Sequence, residues 1–89
     1  MGDQYRIEFT DSARNDLERL DRQIAQRILK KLAWLAEHAD KYPHQALTGK
    51  WADYFKFRVG DYRVIYSLSH QVLLIVVIRI RHRREVYDE

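Results

Sequence analysis

The sequence predicts an α+β domain in which a helical hairpin packs on one face of a mainly antiparallel sheet. Three observations predict this class: a short alternating segment near the start, two amphipathic segments of helical period after it, and three strand-like segments in the second half. The 89 residues suit one domain over residues 1–89. Apolar residues make up 46% and charged residues 33%, a balance typical of folded globular proteins.

The N-terminal part is expected to hold one strand and two helices. Tyr5 to Phe9 alternates between apolar and polar residues, as a half-buried strand does. Thr10 and Asp11 are suitable N-cap residues for a first helix, and Asp21 can cap a second, longer one. The apolar residues of the longer helix fall on one stripe, which we expect to face the sheet: Ile24, Ile28, Leu29, Leu32, Leu35 and Ala36.

A loop and a hairpin are expected next. Residues 38–50 are predicted to be a loop, because Pro43 prevents a helix from continuing. Residues 54–59 and 62–68 both alternate, and Gly60 opens the two-residue connection between them. A Gly-X pair in this position indicates a hairpin with a type II′ turn.

The last strand-like segment, residues 72–78, is apolar on both faces, so we expect it inside the sheet. Residues 69–71 are predicted to form the turn before it, and Arg79, Arg81 and Arg83 are expected to extend the strand and to add positive charge at the same end of the sheet. Residues 54–84 carry seven basic side chains against one acidic, whereas residues 1–53 sum to zero. Positive charge concentrated in this way indicates a surface that binds a polyanion, and a solvated surface that aids solubility is the alternative.

The two-residue turn fixes how the hairpin strands pair. Arg58 faces Arg63, and Lys56 lies on the same face as both. Like charges directly opposite each other cost up to ~1 kcal/mol, so their presence in a small domain indicates function. Pairing of these arginines with carboxylates such as Asp61 is the structural alternative. The neighbouring cations are also expected to lower the pKa of Lys56, which makes it a candidate base.

The basic face is predicted to bind RNA. Guanidinium groups match phosphate geometry, and tyrosine rings stack on the bases of single-stranded RNA. Besides Lys56, the candidate acid–base groups are His82 and Tyr87, and Tyr87 is also a candidate for base stacking. The candidate RNA contacts are Tyr54, Arg58, Arg81, His82 and Arg84.

The element order and two motifs, "GDYRVIY" and "RHRREVY", resemble the RelE/ParE superfamily of bacterial toxins, and the ending is closer to the RelE branch. The resemblance implies a ribosome-dependent mRNA endonuclease that cleaves codons in the A site by attack of the 2′-hydroxyl group. It implies no metal or cofactor, and it implies a RelB-type antitoxin as partner. Its catalytic residues correspond to Lys56, Arg63, Arg83 and Tyr87, with Arg81 as the alternative to Arg83.

Two other functions stay open. A ParE-like inhibitor of DNA gyrase would share the fold and much of the basic character, and an inactive relative would bind only RNA or its antitoxin. The absence of cysteine from the sequence excludes disulfides and thiolate chemistry. The first residues lack the apolar core of a signal peptide, and no apolar run is long enough to cross a bilayer, so we expect a cytoplasmic protein.

Overall fold

A five-stranded sheet with strand order β1-β5-β4-β3-β2 carries two helices in a computed structural model that describes residues 4–85. The elements are β1 (Arg6–Phe9), α1 (Asp11–Glu18), α2 (Arg22–His38), β2 (Gln45–Ala46), β3 (Phe55–Val59), β4 (Tyr62–Ser69) and β5 (Leu74–His82). β1 is parallel to β5, and the other neighbouring strands are antiparallel. The predicted fold class is therefore confirmed.

Both helices begin at the predicted caps. The Thr10 hydroxyl accepts a hydrogen bond from the amide of Ala13, and the Asp21 carboxylate accepts one from the amide of Gln23. The predicted apolar stripe of α2 is wrong at Leu29, which is 41% exposed. Leu29 follows the inward-facing Ile28 by one residue, and one residue rotates a side chain by about 100° around the helix.

The core lies between α2 and one face of the sheet, which we call the helix-bearing face. α2 contributes Ile28, Leu32 and Leu35, each at most 1% exposed. The sheet contributes fully buried residues from its two central strands: Val64, Tyr66, Ile75 and Val77. The opposite side of the sheet, the open face, carries the basic residues. In the part of the chain that the structure describes, no helix has the length and apolarity needed to cross a membrane.

The hairpin register is confirmed. Arg58 pairs with Arg63 and Lys56 pairs with Ile65, as the two-residue turn predicts. Gly60 has a positive φ of 59°, the conformation that the first residue of a type II′ turn requires and that glycine adopts without strain.

The predicted loop at residues 38–50 is wrong in one respect, because it contains β2. Gln45 pairs with Lys56 and Ala46 with Phe55, so β2 covers the outer edge of β3. A strand of two residues has no periodic pattern that a sequence could reveal.

The prediction that basic residues extend the last strand is confirmed for Arg79 and Arg81, because β5 continues to His82, and it is wrong for Arg83, which lies in a 3₁₀ turn after the strand. The predicted start at residue 72 is also wrong, because β5 begins at Leu74.

Strand β5 contains a β-bulge. Ile65 pairs with Arg79 while the next residue of β4, Tyr66, pairs with Val77, which leaves Ile78 as an extra residue. The two arginines of β5 are thus part of the sheet.

Candidate functional site

Three arginines form one row across the open face. Arg58 on β3 lies opposite Arg63 on β4, and Arg63 lies opposite Arg81 on β5. Lys56 lies two residues before Arg58 on β3 and therefore on the same face. The sheet brings together four of the residues predicted from the sequence, and their positive charges lie on adjacent strands.

Part of this row lines a cleft of about 350 Å³, formed by Gln45, Lys56, Arg58 and Arg63. That volume lies in the range of sites that hold small ligands or single groups of larger ones. None of these four lining residues is acidic. Gln45 was not predicted from the sequence, because it joins the site only through the pairing of β2 with β3. Its amide can donate a hydrogen bond to a phosphate oxygen or contact a base edge.

The environment of the cleft disfavours the protonated, positively charged forms of Lys56 and Arg63. Burial, and then the charges of Arg63 and Arg58, lower the pKa of Lys56. Burial, and then the charge of Arg58, lower the pKa of Arg63. The direction predicted for Lys56 is confirmed, although burial is a larger cause than the like charges. An anion in the cleft would offset this repulsion, so the site favours binding of a phosphate.

Arg79 also starts on the open face, but a carboxylate of α1 holds it. Its Nε donates to Oδ2 of Asp16 over 2.9 Å, and its Nη2 donates to Oδ1 over 3.2 Å. Burial acts to raise the pKa of Asp16, but hydrogen bonds from Arg79 and from the amide of Ile80, together with the charges of Arg79 and Arg81, lower it overall. The guanidinium group of Arg79 therefore forms an ion pair with Asp16 that stabilises the fold.

Arg83 lies at the end of the sheet and does not line the cleft. Its amide donates to the carbonyl oxygen of Asp61 over 2.8 Å, and its Nη1 is 3.9 Å from the Asp61 carboxylate. Both side chains are mostly exposed, so this ion pair is easily exchanged for another partner. Asp61, the carboxylate expected to pair with the hairpin arginines if they were only structural, thus pairs with Arg83.

His82 is not brought together with the cleft residues. It lies opposite Tyr62 on the helix-bearing face, with the two ring centroids 5.1 Å apart and the rings nearly perpendicular. Its Nδ1 accepts a hydrogen bond from the amide of Arg84, whose side chain is exposed. His82 follows Arg81 by one residue, so strand alternation turns the two side chains to opposite faces.

Tyr54, one of the two predicted tyrosines, lies beside the cleft. Tyr54 precedes β3 and is half-buried, with its ring centroid 5.6 Å from that of Trp51. It is adjacent to the cleft strand but does not line the cleft. Tyr87 lies outside the described residues, so its predicted role stays a prediction.

Two other histidines serve the packing of the chain. The His44 Nε2 donates to the carbonyl oxygen of Ala39, and its Nδ1 accepts from the hydroxyl group of the fully buried Tyr66. The Nδ1 of His70 shares a hydrogen bond with the hydroxyl group of Tyr5. Over residues 4–85, no group of three histidine, aspartate or glutamate side chains converges as a metal site would require.

Comparison with known proteins places this geometry in a family. A family model described as the ParE toxin of type II toxin–antitoxin systems matches residues 7–87. The toxin RelG of Mycobacterium tuberculosis is 26% identical over 83 residues, which cover 93% of this chain and 95% of RelG.

Two solved structures have the same fold. The toxin–antitoxin complex RelBE2 of Mycobacterium tuberculosis matches with a TM-score of 0.80 and 27% identity, over 90% of this chain and 99% of the other. The archaeal RelE–RelB complex of Pyrococcus horikoshii matches with a TM-score of 0.73 and 23% identity, over 93% and 99% of the two chains. The chain therefore belongs to the ParE toxin family of type II toxin–antitoxin systems, within the RelE/ParE superfamily.

Proposed function

We propose that this toxin is a ribosome-dependent endoribonuclease that cuts mRNA codons in the A site and so inhibits translation. The observation that carries the proposal is the convergence of Lys56, Arg58 and Arg63 on one cleft, where no acidic side chain is present among the lining residues that the structure describes. Such a cleft suits the phosphodiester of a nucleic acid, and the guanidinium groups can grip its non-bridging oxygens in forked geometry.

The proposed reaction is an internal displacement at phosphorus. The 2′-oxygen forms a bond to phosphorus, the bond from phosphorus to the 5′-oxygen breaks, and the products are a 2′,3′-cyclic phosphate and a 5′-hydroxyl group. One proton leaves the 2′-hydroxyl group and another reaches the 5′-oxygen. This scheme needs no metal ion, because side-chain cations stabilise the negative charge of the phosphorane.

The residues divide among these tasks by their chemistry. Arg58, Arg63 and Arg81 stabilise the phosphorane, because each supplies several N–H donors and a permanent charge. Lys56 takes the proton of the 2′-hydroxyl group, because its lowered pKa increases its neutral fraction. The resemblance to the RelE branch adds Arg83 and Tyr87 to the catalytic residues, and Tyr87 is the candidate for giving a proton to the 5′-oxygen or for stacking on a base.

The proposed partner is a RelB-type antitoxin. The related RelBE2 toxin was solved in complex with its antitoxin. On this chain the cationic row of the open face would attract an acidic segment of such a partner, and a bound segment would prevent entry of the mRNA.

The second candidate function is inhibition of DNA gyrase, and the description of the matching family model as a ParE toxin favours it. The two functions differ in what they require of the cleft. Cleavage of RNA needs a base and phosphate-binding groups at one point, whereas a protein inhibitor of gyrase needs a contact surface only.

The test uses ribosomes programmed with a labelled mRNA, and mass spectrometry identifies the ends of any product. We expect the wild-type toxin to release a 2′,3′-cyclic phosphate and a 5′-hydroxyl group. Removal of one phosphate-binding group in Arg63→Ala is expected to slow cleavage by about 10²-fold or more. Lys30→Met, which removes a positive charge from an exposed position on α2, is the control and should cut at the wild-type rate. Intact mRNA together with inhibited gyrase would refute the proposal.

A further inference from the structure

The bulge in β5 decides which face of the sheet the arginines of that strand occupy. Val77, before the bulge, points to the helix-bearing face and is fully buried. By strict alternation Arg79 and Arg81 would lie on the same face as Val77. Ile78 is the extra residue that reverses the alternation, so Arg81 lies opposite Arg63 on the open face instead.

Thr10 holds the bulge from the edge of the sheet. β1 ends at Phe9, so within residues 4–85 no strand lies beside β5 on that side from Ile78 onward. The amide of Thr10 donates to the carbonyl oxygen of Val77 over 3.0 Å, and its hydroxyl group donates to that of Ile78 over 2.9 Å. The same hydroxyl group accepts from the amide of Ala13 and so joins the bulge to the first turn of α1.

Asp16 holds the strand just after the bulge. Its Oδ2 accepts from the amide of Ile80 over 2.9 Å and so satisfies a donor on the side of β5 that faces away from β4. The same carboxylate binds Arg79 through two hydrogen bonds, and its side chain is only 10% exposed. Thr10 and Asp16 thus bind the backbone on both sides of the point where the alternation reverses.

We infer that Thr10 and Asp16 are positioning residues that hold the β5 bulge and thereby place Arg81 beside Arg63 at the phosphate site. The consequence for RNA binding rests on the proposed function. Substitution of Asp16 can distinguish the two possible roles of its carboxylate, because they change the affinity for RNA in opposite directions. A carboxylate that only neutralises nearby cations weakens RNA binding, whereas one that positions Arg81 strengthens it.

The experiment measures binding of a short 2′-O-methylated RNA, which cannot be cut, over a range of salt concentrations. We expect Asp16→Ala to weaken binding severalfold and to reduce the salt dependence by the loss of one phosphate contact, a change in slope of about 0.7. Glu8→Gln is the control, because it removes an exposed negative charge of β1 on the same face without touching the bulge. That variant should bind as tightly as the wild type or more tightly.

Two further variants separate positioning from general loss of structure. Thr10→Val removes the hydroxyl group and is expected to weaken binding, whereas Thr10→Ser restores it. In an Arg81→Ala background, Asp16→Ala should have no additional effect, because Asp16 acts through Arg81. Wild-type or tighter binding by Asp16→Ala would overturn the inference, and so would equal binding by Thr10→Val and Thr10→Ser.

Measurements on the free protein, without RNA, test the inference independently of the proposed function. Nuclear magnetic resonance reports the cross-strand contact of Arg63 with Arg81 and the hydrogen exchange of the Ile80 amide. We expect Asp16→Ala and Thr10→Val to weaken that contact and to speed that exchange. If the wild type does not bind RNA, the proposed function fails, while these spectra still support the inference. Wild-type spectra in both variants would overturn it whatever the RNA result.

Discussion

Substitution of Arg63 by methionine is expected to stabilise the fold while it removes the activity. Arg63 has a like charge directly opposite on each side, Arg58 on β3 and Arg81 on β5. Each such pair costs about 0.2–1 kcal/mol. Methionine keeps an unbranched stem of similar length, so Arg63→Met removes both repulsions with little loss of packing.

The size of the effect follows from the surroundings of the row. Removal of two repulsive pairs would raise the free energy of unfolding by about 0.4–2 kcal/mol. Because Arg58 is exposed and solvent screens its charge, we expect the lower part of that range, about 0.4–1 kcal/mol. In a domain of this size, such a gain in stability raises the melting temperature by roughly 2–8 °C. Loss of a charged hydrogen bond to phosphate costs about 1.5–3 kcal/mol, so RNA binding should weaken about 10- to 150-fold.

Thermal unfolding at low and high salt measures the stability, and fluorescence anisotropy measures the binding. The gain in stability should shrink at high salt, because salt screens the repulsion that the substitution removes. Lys30→Met serves as the control, and its free energy of unfolding should change by less than about 0.5 kcal/mol. A destabilised Arg63→Met variant, or one that still binds and cuts RNA like the wild type, would refute the reasoning.

Three more predictions concern titration and packing. If neutral Lys56 is the base, cleavage should speed up as pH rises to its lowered pKa and then level off, and Lys56→Arg, which stays protonated, should be inactive at every pH. Tyr66→Phe leaves the Nδ1 of the partly buried His44 without its donor and should destabilise the fold by about 0.5–1.5 kcal/mol in chemical denaturation. The pKa of Asp16 is lowered in the folded state, so its stabilising ion pair with Arg79 is present above the unfolded pKa of 3.8 and is lost as pH falls through the folded pKa. Asp16→Asn should therefore flatten the acid limb of the stability curve.

A specific outcome would contradict each of these three predictions. A Lys56→Arg variant with wild-type activity and pH profile would exclude the lysine as base. A Tyr66→Phe variant as stable as the wild type would show that water or another group satisfies the histidine. An unchanged acid limb in Asp16→Asn would show that the ion pair adds nothing to folding.

The hairpin could be predicted in detail because its turn determines its register. Once Gly60 fixes a two-residue connection, the opposition of Arg58 and Arg63 and the shared face of Lys56 follow from alternation alone. The central part of the site was therefore readable from residues that are close in sequence.

The remainder of the site depends on long-range contacts. Gln45 reaches the cleft through a two-residue strand, and Asp16 reaches Arg79 from a different element, 63 residues away in sequence. The bulge at Ile78 has no marker such as glycine, so alternation by itself could not show which face each later residue would occupy. That is also why His82, predicted among the RNA contacts, lies on the helix-bearing face.

The central claim is that the cationic cleft cuts mRNA, and mapping of the 5′ ends of cellular mRNA after brief induction of the toxin tests it most directly. We predict new 5′ ends at a constant position within codons of translated messages, and none when Arg63→Met is induced to the same level. Intact mRNA accompanied by DNA breaks in cells that express the wild type would contradict the account.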